Sequence, residues 1–294
     1  MLTQGTFGAV IQHIEPDFIA SLPIPQFPVK FQEKVDNLVK ESARLREEAT
    51  DLLKDATNLI KKALPEISCK RKNSSVSIRD IARSYTKRFE ASYFVSENRD
   101  IMDSLSDKYK CQTLEDWTEK IFRPGIFKRE YVKKGIQFLG GADIMMAIPS
   151  SDKKLSFKQV SRMPELQIQK NWILATCGGT IGNVVYVDRH LEKSVISQHV
   201  IRIVPKENVK QGFLFAFLNS EIGYKLITLF SFGSVIPQVE PHHLKRIPIP
   251  ILKEKNVADI DSLVQLYAEK IEVSKRKELE AISLVEKEID GWNA

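Results

Sequence analysis

The sequence predicts an α+β protein: a mixed, largely antiparallel-sheet domain flanked by two long antiparallel coiled-coil helices. Three observations predict it. A twenty-residue segment occurs twice, each copy runs into a long heptad-patterned stretch, and the region between the copies is rich in short β-branched runs punctuated by glycine.

The repeat comes first. Residues 6–25 (TFGAVIQHIEPDFIASLPIP) recur as residues 231–250 (SFGSVIPQVEPHHLKRIPIP), an offset of 225 with nine identities in twenty. Phe7-Gly8, Val10-Ile11, Glu15-Pro16 and Pro23-Ile24-Pro25 reappear as Phe232-Gly233, Val235-Ile236, Glu240-Pro241 and Pro248-Ile249-Pro250. Internal repetition of this kind marks equivalent structural units.

A helix follows each copy. Leu38, Leu45, Leu52 and Leu59 recur every seven residues, and Val35, Ser42, Ala49, Ala56 and Ala63 fill the companion heptad position. This is a coiled-coil seam with leucine at one core position and small residues at the other. Residues 33–64 hold no glycine or proline and Pro65 then ends the helix, a rod of about 48 Å at helical rise. After the second copy, Leu263, Ile271, Ile282 and Val285 mark an apolar stripe over residues 257–290, and Gly291 stands where a C-cap would. The offset of 225 pairs Leu38 with Leu263, so the two helices are equivalent elements, expected to pack antiparallel because a globular domain separates them. Lysines on these helices (Lys34, Lys40, Lys54, Lys61, Lys275, Lys277) read as a solvated face or as contacts to other subunits.

Between the helices, residues 68–77 form a basic connector and the segment SIRDIARSYTKRFEASYFVSENRD (77–100) carries mixed helix and turn signals. Short strands and turns are expected over 116–149, a strand at 184–187, another from Val195 to Val204, and a helical hairpin at 211–229. The expected divisions are 1–25 (tail of a first repeat unit), 26–65 (spacer helix), 66–250 (central domain) and 251–294 (second spacer helix).

Composition narrows the function. The net charge of +6 over 294 residues is the excess a phosphate-binding protein carries. No apolar run approaches a membrane span and no secretory signal opens the chain, so a cytoplasmic protein with no membrane partner is expected. Three distant cysteines build neither a disulfide framework nor a zinc site. The N/D-P-P-Y/F motif of amino-methyltransferases and both glycine-rich nucleotide loops are missing. Pro16-Asp17 with Glu33-Lys34 is a coincidental match to a nuclease metal pattern, and His242-His243 reads as a solvated turn rather than a metal site.

KRFEASYF (87–94), GTIGNVVYV (179–187), ISQHVIRI (196–203) and the two PIP-then-helix units together resemble the specificity subunit of type I restriction-modification systems. The resemblance covers nearly the whole chain and implies a non-catalytic role. In that family two target-recognition domains each read half of a bipartite duplex DNA site. Two helices space the halves, methylation subunits dock on them, and a translocase-nuclease restriction subunit joins. S-adenosylmethionine is then expected in the partner methylation subunit, with no cofactor on this chain. Only one complete recognition domain is present here beside the tail of another, so a homodimer is one way to restore two. A scaffold or regulatory truncated subunit that binds methylation subunits without reading bases is the alternative.

Within the central domain, Lys153, Lys154, Lys158 and Arg162 lie in a polar stretch suited to phosphate contact, and Lys70, Arg71 and Lys72 form a second basic cluster. Asn171, Asn183, Gln198, His199 and Gln238 are the polar candidates for base edges. Thr180 stands among Gly178, Gly179 and Gly182, which read either as a loop close to DNA or, favoured on backbone grounds, as a tight turn.

Overall fold

The computed structural model describes residues 6–7, 13–65, 67, 76–84, 87–89, 91–94, 96–233 and 235–291. Strands β1 (Thr6–Phe7) and β2 (His13–Ile14) pair antiparallel, with Phe7 opposite His13. Helix α1 (Pro16–Ala20) starts on a proline, where a missing N–H leaves no helical bond unmade. Helix α2 (Val29–Ala63) runs for 35 residues, about 52 Å by helical rise. Three shorter helices follow: α3 (Ile78–Arg83), α4 (Ala91–Phe94) and α5 (Glu97–Lys108), the last capped by the Ser96 hydroxyl, which accepts from the Arg99 N–H. Then come β3 (Cys111–Thr113), β4 (Thr118–Phe122), β5 (Tyr131–Leu139), β6 (Lys154–Leu155), α6 (Phe157–Arg162), β7 (Ile173–Gly178), β8 (Thr180–Tyr186), β9 (Val195–Ile196) and β10 (Val200–Pro205). The chain closes with α7 (Gln211–Asn219), α8 (Glu221–Leu229), α9 (Pro241–Leu244), β11 (Pro248–Pro250) and α10 (Glu254–Gly291).

The central domain holds two larger sheets and a two-stranded one, with α7 and α8 against the first and α6 against the second. The first sheet has strand order β4-β10-β7-β8 and is antiparallel throughout. The second has order β6-β5-β9, where β5 and β9 run parallel. β11 pairs with β3 antiparallel, Ile249 opposite Gln112. The expected single strand from Val195 to Val204 is therefore two strands in two sheets, broken by a turn at 197–199. Apolar residues on both sides of that turn hid the break.

Alternation along the strands feeds two cores. Ile201, Ile203, Ile173 and Ala175 face α7 and α8 in the main core, which also takes in Ala56, Ile60, Ile260 and Val264 of the long helices. Val200 and Leu174 face the opposite way, against Leu139, Val187 and Ile196. Helix α7 is seated on α10 by close approach. The Gly212 N–H donates to Asp261 Oδ1 at 2.8 Å, and a Cβ on Gly212 would stand 2.8 Å from that oxygen and 3.0 Å from Val264 Cβ. Any larger residue there would push the domain off the rod.

The long helices pack antiparallel. Glu41 pairs with Lys277 and Glu48 with Lys270, both at 2.6–2.7 Å. At the centre the Ser42 and Ser274 hydroxyls donate reciprocally to each other's carbonyls at 3.0 and 2.9 Å, buried. The small residues form the tightest line: Ser42 is 2% exposed and Ala49 and Ala56 are fully buried, with Leu45 beside them. Leu38, Leu52 and Leu59 flank the seam half-buried, as do Leu263, Ile271 and Val285. Two expectations fail here. Ile282 is exposed, while Ala281 takes the inward position. Lys275 is not on a solvated face: its Nζ bonds Asp188 Oδ2 at 2.5 Å in a buried ion pair that ties the helix to the central domain.

The repeat is visible in three dimensions. Phe7 faces His13 in copy one and Phe232 bridges Gln238 in copy two, the positions 225 residues on. α1 and α9 are likewise equivalent. Gly8, Val10 and Ile11 lie outside the described residues, as do Lys70, Arg71 and Lys72. Contrary to the expected solvated turn, His243 is 8% exposed, with its ring stacked on Phe230 at 5.7 Å. His242 packs against it, ring centroids 4.1 Å apart. No helix among the described residues is long and apolar enough to cross a membrane.

Candidate nucleic-acid interface

A cavity of about 640 Å³ opens where the two sheets meet. Its walls are the β7–β8 hairpin end, β5 with the loop after it, and the 197–199 turn between β9 and β10. Lining it are Arg129, Tyr131, Lys153, Thr180, Asn183 and His199, among others. Four of these, Lys153, Thr180, Asn183 and His199, are sequence candidates drawn together from three separate segments.

Local chemistry aims each one. Register shifts between Ala175 and Cys177, and the Thr176 hydroxyl accepts the Asn183 N–H at 3.2 Å in place of a ladder bond. This puts Asn183 on the cavity side. Gly179 turns the hairpin at φ 77°, which exposes Thr180 at its tip. The tight-turn reading of this glycine group holds, and the turn is part of the cavity wall. The Arg129 guanidinium lies 5.4 Å over the Phe138 ring, fixing an otherwise mobile cation. Nearby, Arg123 is ion-paired with Glu240. Burial together with the Arg129 and Arg123 charges holds His199 below the ordinary imidazole range. Burial pushes the Cys177 thiol up to about 11, so it stays an unreactive core thiol.

The family described as "Type I restriction modification DNA specificity domain" matches residues 97–284, more than half of this chain. The chain belongs to that family. Comparison with curated protein sequences finds no match. Among solved structures, the type I restriction-modification S subunit from M. genitalium is 15% identical with TM-score 0.42, over 96% of this chain and 65% of that one. The HsdS subunit from Thermoanaerobacter tengcongensis is 13% identical with TM-score 0.40, over 97% and 66%. A chain solved in work on complex assembly and conformational transition of the type I R-M system is 13% identical with TM-score 0.43, over 96% and 63%. The chain thus spans less than two thirds of the length of each of these proteins.

The specificity domain places the other candidates elsewhere. Gln198 is 5% exposed and cannot meet a base directly; it bonds the His199 ring instead. Asn171, at φ 70°, lines a different cleft of about 770 Å³ between the domain and α10, beside Lys275. Lys158 and Arg162 are exposed on α6, whose Val160 is buried against the second sheet. Lys154 sits in β6 opposite Gln137. Gln238 bridges Gly178 and Phe232 next to the cavity. Sequence reasoning missed Arg129 and Tyr131, although FKREY interleaves cations with aromatics, a readable nucleic-acid signal.

Proposed function

We propose that this chain is the DNA-reading, non-catalytic subunit of a type I restriction-modification methyltransferase complex. The observation that carries it is the convergence of Arg129, Lys153, Thr180, Asn183 and His199 on one cavity in a chain of the specificity family. Cations that meet phosphates and polar tips that meet base edges are the two components of sequence reading. Methyl transfer and its S-adenosylmethionine belong to a methylation subunit docked on α2 and α10, and a restriction subunit completes the complex.

The repeat supports a bipartite target. In copy two, Leu244 and Ile249 are fully buried by the domain; their counterparts Ile19 and Ile24 are 51% and 85% exposed. Asp261 and Val264 seat α7; their counterparts Asp36 and Val39 face solvent. The first half of the rod thus keeps the chemistry of a seat for a second recognition domain of the same fold, supplied by preceding sequence or another chain.

Co-expression with a type I adenine methylation subunit tests the reading. Methylation of adenine at a bipartite site, lost on Arg129→Ala plus Lys153→Ala, is the expected result. A stable complex whose DNA binding is steeply salt-dependent but sequence-blind would favour a scaffold instead.

A further inference from the structure

The 197–199 turn is built to hold one imidazole in one state. Both ends are pinned: Ser197 N–H donates to Leu139 O at 2.9 Å, and Cys177 N–H to His199 O at 3.2 Å. Beneath it lies Arg202, fully buried, where the alternation of β10 calls for an apolar side chain. Its guanidinium donates to the carbonyls of Ser197 (2.7 Å), Val200 (2.6 Å), Leu166 (3.4 Å) and Ile196. No ion pair to it exists among the described residues, and burial pulls it down to about 9. A buried cation without a carboxylate is costly, and apolar residues of similar volume usually serve stability as well or better. What the guanidinium supplies is fixed carbonyl positions through the turn.

The side chains of the turn form a directed relay. The Ser197 hydroxyl accepts the His199 backbone N–H at 3.2 Å and donates to Gln198 Oε1 at 3.4 Å. That orients the Gln198 amide nitrogen toward His199 Nε2, 3.3 Å away. An amide NH₂ only donates, so Nε2 must accept, and a neutral ring then carries its proton on Nδ1. An imidazolium would set N–H against N–H. Nδ1 stands beside Gly178, where a Cβ would come within 3.4 Å of it. Glycine leaves that side open to the cavity.

We propose that His199 is a specificity-determining residue that offers Nδ1–H as a fixed hydrogen-bond donor to an acceptor on a base edge, a purine N7 or a carbonyl O6 or O4. This rests on the DNA-reading function proposed above. Cytosine presents an amino donor in the major groove, so it is selected against at that position. Arg202, Ser197 and Gln198 are positioning residues that act through the ring.

Two measurements on the full chain test this. ¹⁵N NMR of the imidazole rings at pH 7 should show His199 neutral, with Nδ1 protonated and Nε2 bare. Gln198→Glu, which gives Nε2 an acceptor to face, should reverse the tautomer. A wild-type Nε2–H tautomer or an imidazolium overturns the proposal. Duplexes selected from a randomised pool by the wild-type chain supply the second. His199→Ala should lose roughly ten- to a hundredfold discrimination at one position with an unchanged salt slope. His199→Asn, whose amide N–H reaches where Nδ1–H stood, should restore part of it. Unaltered preference in His199→Ala overturns this inference and leaves the DNA-reading function standing. Failure of the wild-type chain to enrich any sequence overturns both.

Discussion

His243 shows how one residue links burial to acid sensitivity. Burial, with His242 and Arg88 adding like charge, lowers it from 6.5 to about 4. The unfolded chain then binds more protons between these values. Its contribution is present in full above pH 6.5 and is lost as pH falls toward 4, at most about 3 kcal/mol. His243→Phe, the residue type at the equivalent Phe18, should flatten the fall in melting temperature across that window. A second residue-scale prediction concerns Lys275. Asp188 already accepts the N–H groups of His190 and Leu191 at 3.0 and 2.8 Å, so Lys275→Met leaves its charge buried without a cation. A cost of about 3–5 kcal/mol in denaturant unfolding is expected, largely relieved by adding Asp188→Asn.

At the scale of elements, the seam between α2 and α10 is set by its small residues. The reciprocal Ser42–Ser274 bonds need the backbones close together, which leucine at either position would prevent. Ser42→Leu should cost several kcal/mol by overpacking, whereas Ser42→Ala should cost about 1 kcal/mol, read by thermal unfolding. The heptad of leucines and small residues was legible from spacing alone, as were both long helices and the helical hairpin. Which of the two heptad lines is more deeply buried was not, because it depends on interhelical distance. The Val195–Val204 strand failed for a related reason: an apolar run does not reveal which of two sheets each half joins.

On the scale of the whole molecule, the domain of this chain packs on one half of the rod, and the face related to that seat by the repeat, around Asp36 and Val39, is exposed; the proposed function assigns it to a second domain. Asp36→Lys with Val39→Glu should leave stability within about 0.5 kcal/mol, because both side chains face solvent. The same pair should abolish methylation of the bipartite site by blocking the second domain. Equal methylation in the variant would show that the exposed face has another use. The candidate site was half legible at this scale. Lys153, Thr180, Asn183 and His199 could be picked by residue type, but Gln198 and Asn171 looked equally suitable.

By itself the sequence determined the repeat, the paired helices, the mixed sheet domain and the family resemblance. The repeat and the helices are written in self-similarity at a fixed offset and in local spacing, the sheet domain in its β-branched runs and glycines, and the resemblance in the motifs at 87–94, 179–187 and 196–203; none of these needs coordinates. Only the tertiary structure decided which polar residues share a cavity, that Arg202 and Lys275 are buried, and that the α2 face around Asp36 and Val39 lies exposed. Burial and convergence arise when strands of different sheets and distant helices meet, and residues 129, 153, 183 and 199 come to line one cavity only through that long-range packing.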